Sequence, residues 1–510
     1  MKRYECEYPF AQECKEYALK FDKAFDECDW NTTNKLIKEC ETLIDKNKED
    51  YRYAPIYYSL GISYSDLMDN SSEYTNDHVR EKILYCYRIC IELLSEKELE
   101  NPKFRPYVNG LKMQLFTNYA NALSSCGRSI AAIRCYRQAL EIDSDFQMAT
   151  GNIGVELLHY ATLIHDNGQN AYLHHFAYDY LKSSINGDSK RVPPSAKKYF
   201  QSVIDRYSID FVENFLEKPL DIQEYSLGDL QEESYRKWCL ENHLFLNPLN
   251  DLPLQHSCFA ADTLQLPSIV IPISQKDIPV YFGMFNQIKQ EYIFARYLCY
   301  QACSFSDKPH YADKETNLVN LYDYPQYSIR IENAKTSFRL FYSIFDKVAY
   351  FANIYWNLGI KEHDVTFHSI WKDKSGKNKY KHSKLNVSNN ISLASINWIY
   401  KDFNERFGED EVPESKKHNI LRNALEHKYV KVHSDLFEVY KPYVDDEGTY
   451  HISENDLLKY TFDLMDMIRE LIIDLSMAVH IEELQRKSKH DSDKFIPNIS
   501  LSEYNDEWKI

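Results

Sequence analysis

Only 13 glycines and 17 prolines interrupt 510 residues, about a third and two thirds of the usual shares of these residues. A fold of many short strands needs a turn every few residues, and such turns draw heavily on both. An all-β sandwich or barrel is therefore disfavoured, and the expected fold class is all-α. Apolar residues make up 44% and charged residues 27% of the chain, enough for large cores and too balanced for general disorder. The length exceeds one ordinary domain and points to about two to four.

The formal charge of −17 with a pI near 5.5 provides no general basic field, so any contact with RNA or DNA has to use a local patch. Residues 1–15 are charged and aromatic, and no run of eighteen apolar residues occurs, so neither a signal peptide nor a membrane span is expected. A cytoplasmic location is the expectation. The 12 cysteines are scattered. The closest pairs, Cys86 with Cys90 and Cys299 with Cys303, have helical spacing rather than the spacing of a metal site. They read as reduced core thiols, with no metal and no cofactor expected. Walker-type phosphate loops, Gly-x-Ser-x-Gly elbows and His-Glu-x-x-His helices are absent, which removes the commonest nucleotide hydrolase, esterase and zinc protease signatures. His174, His175, His363 and His368 lack companion ligands and read as surface residues.

Residues 1–170 read as helix after helix. Phe116-Thr-Asn-Tyr-Ala120-Asn-Ala-Leu is followed by Gly127 and then by Ala132-Ile-Arg-Cys-Tyr136-Arg-Gln-Ala139-Leu140, so that small and aromatic residues alternate along two helices. This resembles a tetratricopeptide helix pair. Small Ala120 and Ala132 let the helices approach, while Tyr136 and Ala139 face the next repeat. Gly154 repeats the small position, at 154 − 120 = 34 residues, the period of that family. A degenerate copy lies upstream in Leu60-Gly61-Ile-Ser-Tyr64, followed by Ile83, Tyr87 and Cys90. Such repeats imply a protein or peptide partner.

Residues 171–280 are punctuated by prolines from Pro193 to Pro279 and read as a connecting region. Its segment from Tyr235 through Trp238 to Pro248 is too aromatic for a free linker and is expected to pack on a domain. Ser268 to Ile273 reads as extended, an edge strand. Residues 281–490 then form a candidate bundle, with helices over 284–304, 334–358, 391–407, 415–431 and 454–487, and 491–510 form a tail. Phe338, Phe341, Phe345, Val348, Ala352 and Tyr355 recur at steps of three and four, the apolar stripe of a bundle helix.

Within this bundle stands Leu421-Arg422-Asn423-Ala424-Leu425-Glu426-His427-Lys428. An Arg, a polar Asn, three further residues and a His make the arrangement of the HEPN superfamily of helical bundles, and residues 281–487 resemble a HEPN domain preceded by tetratricopeptide-like helices. The resemblance implies a dimeric, metal-independent endoribonuclease, with a setting in stress response or defence. The residue types suit that chemistry. His427 can accept the ribose 2′-OH proton near neutral pH, Arg422 can hold the phosphorane's charge, and Asn423 can bond the phosphate or hold the imidazole. On a regular helix Arg422 and His427 point about 140° apart, so their convergence needs a helix end, a bend or a second subunit. In a purely structural reading, Arg422 pairs with Glu426 on a surface helix and His427 caps the helix dipole.

Asp346 is a candidate to orient His427 or Arg422, and Glu291 and Arg296 to join a polar network, against the alternative that all three face solvent. Lys372, Lys374, Lys377, Lys379, Lys381 and Lys384, with Trp371 and Tyr380, form a candidate RNA-tracking loop, against the alternative of a solvated insertion. The rival function is a non-catalytic interaction scaffold or signalling regulator, which the acidic balance favours. The paired Arg422 and His427 favour catalysis.

Overall fold

The structure is a computed structural model. It describes the whole chain except residues 1–5, 71–76, 188–191, 208–214, 271–279, 305–307, 320–324, 372–384, 405, 408–409, 412, 435–447, 489–500, 503 and 510. Helices dominate it. They are α1 (Gln12–Asp26), α2 (Trp30–Asp45), α3 (Ala54–Asn70), α4 (Asp77–Leu93), α5 (Arg105–Ser125), α6 (Ser129–Ile142), α7 (Gln147–Leu163), α8 (Asn167–Asn186), α9 (Pro194–Tyr207), α10 (Leu230–Glu241), α11 (Val280–Cys303), α12 (Ile329–Tyr355), α13 (Ile391–Asn404), α14 (Pro413–His427) and α15 (Glu454–Ser488). The four short strands are β1 (Arg406–Phe407), β2 (Asp410–Glu411), β3 (Tyr429–His433) and β4 (Thr449–Ser453). The chain is all-α, with β1–β2 antiparallel and β3–β4 parallel as minor ladders.

From α1 to α8 the helices pack in consecutive pairs, an arrangement consistent with the tetratricopeptide reading. Ala120, Ala132 and Ala139 are fully buried and Tyr136 nearly so. Gly154 is required by close approach, since a Cβ there would stand 2.7 Å from Leu181 Cγ and 3.0 Å from the Ala177 carbonyl of α8. Gly127 closes the α5–α6 turn at φ +81°, and an added Cβ would meet the Ile391 carbonyl at 2.7 Å. That turn is where the α5–α6 pair rests on the start of α13.

The connecting region is not a linker. It holds α8 in large part, α9 and α10, and its residues from Cys239 to Leu266 belong to one apolar core that continues from α5–α9 into α11–α15. A second core is confined to the N-terminal helices, from Phe10 to Leu115. Buried cations fasten the aromatic segment to the bundle. Arg296 of α11, which the sequence places by default on an exposed face, is 1% exposed and bonds both Asp262 carboxylate oxygens at 2.9 and 2.8 Å and the Leu244 carbonyl at 2.9 Å. Arg469 of α15 bonds the Phe245 carbonyl at 2.7 Å, Asp251 at 2.6 Å and the Asn247 carbonyl at 3.1 Å. Isolated in a core, each guanidinium would be costly; with its donors satisfied it fixes one arrangement.

A second polar seam joins the N-terminal helices to α13 and α15. Arg88 of α4 forks onto Asp402 of α13 at 2.7 and 2.8 Å and bonds the Tyr119 hydroxyl at 2.9 Å. Arg128, just before α6, reaches the same carboxylate and forks onto Glu470 of α15 at 2.9 and 2.8 Å. Arg134 of α6 bonds Asp466 at 2.8 Å. Around these charges α15 buries Leu464, Met465, Ile468, Leu471, Ile472, Ile473 and Leu475. Each such side chain contributes about 1.5–3 kcal/mol of transfer free energy.

Several expectations are corrected. His174 and His175 are buried in α8 rather than on the surface, with His175 Nε2 2.6 Å from the Lys218 carbonyl oxygen. Of the expected edge strand, residues 268–270 form no strand and 271–273 lie outside the described residues; the Val270 N–H instead donates to Glu483 of α15 at 2.8 Å. The helix expected over 415–431 ends at His427, because Tyr429-Val-Lys-Val-His alternates β-branched residues and pairs with β4. Cys14, Cys40, Cys86, Cys90, Cys126, Cys135, Cys239 and Cys299 are buried free thiols, whereas Cys6 and Cys28 are exposed and Cys258 and Cys303 half-buried, so the core reading does not hold for these four; burial raises the Cys86 pKa to about 12.

Candidate functional site

The Arg-Asn-His sequence lies on α14, which packs against α12, α13 and α15. Its inward face is Leu421, Ala424 and Leu425, together with His418, whose ring lies 6.1 Å from Phe338 and 5.9 Å from Tyr460. Burial pulls the His418 pKa down to about 4, so this imidazole is a neutral packing group. The outward face carries Arg422, half-buried, and Asn423, Glu426 and His427, all exposed. None of the candidate catalytic groups on α14 is part of the apolar core.

Arg422 Nη1 donates to Asn423 Oδ1 at 3.0 Å, and its guanidinium lies over the Tyr342 ring of α12 with 5.3 Å to the centroid. Stacking and the amide bond together hold the planar fork at the surface. Tyr342 in turn donates to Asn419 at 3.2 Å. Burial raises its pKa, with Arg422 pulling the other way and Asp346 adding to the rise. His427 is the final residue of α14, so a helix end, one of the three alternatives for convergence, is present at the motif. It makes no bond to Arg422 among the described residues.

Glu426 turns to Arg339 of α12 at 3.9 Å and not to Arg422, so the helical Arg422–Glu426 pair of the structural reading does not form. Arg339 also donates to the Leu425 carbonyl at 2.5 Å, a cation on one of the open carbonyls at the end of α14. The sequence reading missed Arg339 and Tyr342. Their signal was a polar pair three apart on the α12 face adjoining its apolar stripe.

Asp346 is exposed, and its Oδ1 accepts the Phe367 N–H at 3.0 Å. Among the described residues it bonds neither Arg422 nor His427, so its visible role is to hold the segment after α12. Glu291 pairs with Lys347. Lys372, Lys374, Lys377, Lys379, Lys381 and Lys384 lie outside the described residues. Beyond His427, Tyr327 and Tyr429 meet through their hydroxyls, and His433 stacks on His451 with ring centroids 5.2 Å apart. No group of three or more His, Cys, Asp or Glu side chains suited to a metal ion occurs among the described residues. No described helix is long and apolar enough to cross a membrane.

Residues 273–482 match the family of LA2681-like HEPN domains. This stretch of the chain is a HEPN domain. The match takes in α11 to α15 up to residue 482 and so includes the whole of α14. No curated protein and no solved structure matches the chain. The HEPN domain does not stand apart from the rest of the molecule: Lys417 of α14 bonds Glu92 of α4 at 2.6 Å, which ties the motif helix directly to the N-terminal helices.

Proposed function

We infer that the protein is a metal-independent endoribonuclease whose site is completed by two HEPN domains. The observation that carries this reading is the placement of Arg422 and His427 on the solvent side of a helix whose other face is locked into the core. There His427 is free to take the 2′-OH proton while Arg422, oriented by Asn423 and Tyr342, meets the phosphate oxygens. The 2′-oxygen attacks phosphorus, the 5′-oxygen leaves, and the products are a 2′,3′-cyclic phosphate and a 5′-hydroxyl. The leaving oxygen needs a proton, which the protonated imidazole of a second copy supplies. That is the chemical reason for a dimer when the two groups on one helix diverge by about 140°.

The repeats then recruit or restrain the nuclease through a protein or peptide partner, and Lys417–Glu92 with the Arg88–Asp402–Arg128 seam is the physical connection. The test is cleavage of a mixed RNA pool in EDTA by wild type, His427→Ala and Arg422→Ala. Cleavage lost in both variants, with cyclic phosphate ends in the wild type, supports the reading. Wild-type protein that dimerises and leaves RNA intact, alone and with its partner, favours the scaffold instead, a role consistent with the −17 charge.

A further inference from the structure

The N-terminal repeats enclose a cavity of about 240 Å³ between α3, α4 and α5. Its walls are of three kinds. Ile62, Met68 and Ile83 supply an apolar side, Asn118 and Asn121 of α5 supply amides, and Asp66 and Asp69 of α3 supply two carboxylates. Arg80 of α4 also borders it, with Nη1 3.6 Å from Asp77 and a buried Nε that bonds no described residue.

The amides are only half used. Asn118 donates to the Tyr58 hydroxyl at 2.9 Å, and Asn121 Oδ1 accepts from Tyr136 at 2.6 Å and from Asn152 at 3.2 Å. Asn118 Oδ1 and Asn121 Nδ2 are left as one acceptor and one donor, the pair a peptide unit asks for. The Asp66 carboxylate accepts no bond from any described residue although it is half-buried, and burial together with Asp69 raises its pKa to about 6. A carboxylate desolvated beside a second one is stabilised by a cation placed between them.

We propose that this cavity is a binding site for the lysine or arginine side chain of a partner protein, with the cationic head at Asp66 and Asp69 and the alkyl stem along Ile62, Met68 and Ile83. The proposal rests on the reading that the repeats recruit a protein, and it supplies the chemistry of that recruitment. An acidic chain of −17 draws such a basic segment by long-range attraction, and the cavity gives it one defined seat. Binding also acquires a pH dependence. The charged groups facing Asp66 are Asp69 on α3 and Arg80 with Asp77 on α4, while the α5 wall contributes amides and no charge. As pH falls through about 6, Asp66 takes up a proton and the site loses half of its negative charge.

The test uses the full chain and three capped peptides, Ac-Ala-Ala-Xaa-Ala-Ala-NH2 with Xaa as lysine, arginine or norleucine, titrated by calorimetry; free butylamine is a fourth probe. The lysine and arginine peptides are expected to bind about 10- to 100-fold more tightly than the norleucine peptide, the ratio one charge-assisted hydrogen bond supplies. Asp66→Asn, which keeps the shape and removes a strained charge, is expected to erase that preference. Butylamine is expected to bind more weakly than the lysine peptide, because it leaves Asn118 and Asn121 unused. Equal affinity for norleucine, an unchanged preference in Asp66→Asn, no saturable binding of either basic peptide, or butylamine binding as tightly as the lysine peptide overturns the proposal. The RNA cleavage assay is independent of this titration, so a silent nuclease and an empty cavity are distinguishable results.

Discussion

Two buried arginines of the N-terminal helices converge on the Asp402 carboxylate, with side-chain exposures of 8% for Arg88, 7% for Arg128 and 10% for Asp402. Replacing it with alanine strands the two guanidiniums unequally. Arg128 keeps both of its bonds to Glu470, whereas Arg88 loses both of its charge-assisted bonds to Asp402. Removing one partner of such a buried ion pair costs about 3–5 kcal/mol. Most of it should vanish when the cation is removed as well. In a double-mutant cycle, Asp402→Ala with Arg88→Met is expected to recover about 2 kcal/mol relative to the sum of the single variants. Urea unfolding followed by tryptophan fluorescence reads both numbers, from the midpoint of the transition that includes the shared core. A loss under about 1 kcal/mol for Asp402→Ala, or strictly additive singles, would refute the claim that this seam is dry and coupled.

Four further outcomes are expected. Asp346→Asn should leave RNA cleavage within about threefold of wild type while lowering stability by about 1 kcal/mol through the weakened Phe367 bond; loss of cleavage without loss of stability would return Asp346 to the site. His243 is half-buried, and desolvation with the nearby Arg137 lowers its pKa to about 3. It stays neutral in the native state while the unfolded chain takes up a proton below about 6.5, so stability is lost as pH falls from there by about 1.4 kcal/mol per unit. His243→Asn, which tolerates the left-handed φ of +57°, should flatten the urea-midpoint slope between pH 6 and pH 4, and a parallel slope would count against the burial argument. Asp66→Asn should stabilise the protein above pH 6 by about 1 kcal/mol after allowance for partial exposure, with the gain disappearing in acid. Residues 281–490 alone should melt well below a fragment that begins at residue 230, because Arg296 and Arg469 lose Asp262, Asp251 and three carbonyls; equal melting temperatures by calorimetry would show the bundle to be self-sufficient.

The helices were legible because their signals are local. The stripe from Phe338 to Tyr355 is buried as its period requires, and the small residues Ala120, Ala132 and Gly154 sit at close approaches. The candidate motif was legible as residue types and spacing, and the structure puts them on a surface-facing helix end. What the sequence hid was long-range pairing. Arg296 looked like a solvent-facing charge because Asp262 lies 34 residues away, and Asp402 gave no sign that it answers Arg88 over 314 residues. Likewise Glu426 has a local partner at helical spacing in Arg422, yet it turns to Arg339. His174 and His175 read as surface residues because nothing in their own helix announces the Lys218 carbonyl. The described prolines from Pro193 to Pro267 fall in irregular segments or at helix starts, and such positions look alike in sequence whether they lie inside a packed clasp or in a free linker.

The position of α15 has a consequence for how the molecule comes into being. Every group that Arg469 and Glu470 fasten, from Arg128 to Asp251, precedes α15 in the chain. During synthesis the repeats and the aromatic clasp can collapse early, but their buried cations and acids wait for a helix translated after all of them. α14 packs on that same helix. The surface bearing Arg422 and His427 is therefore completed only when the rest of the molecule is already in place, so an unfinished chain carries the motif without the platform that aims it.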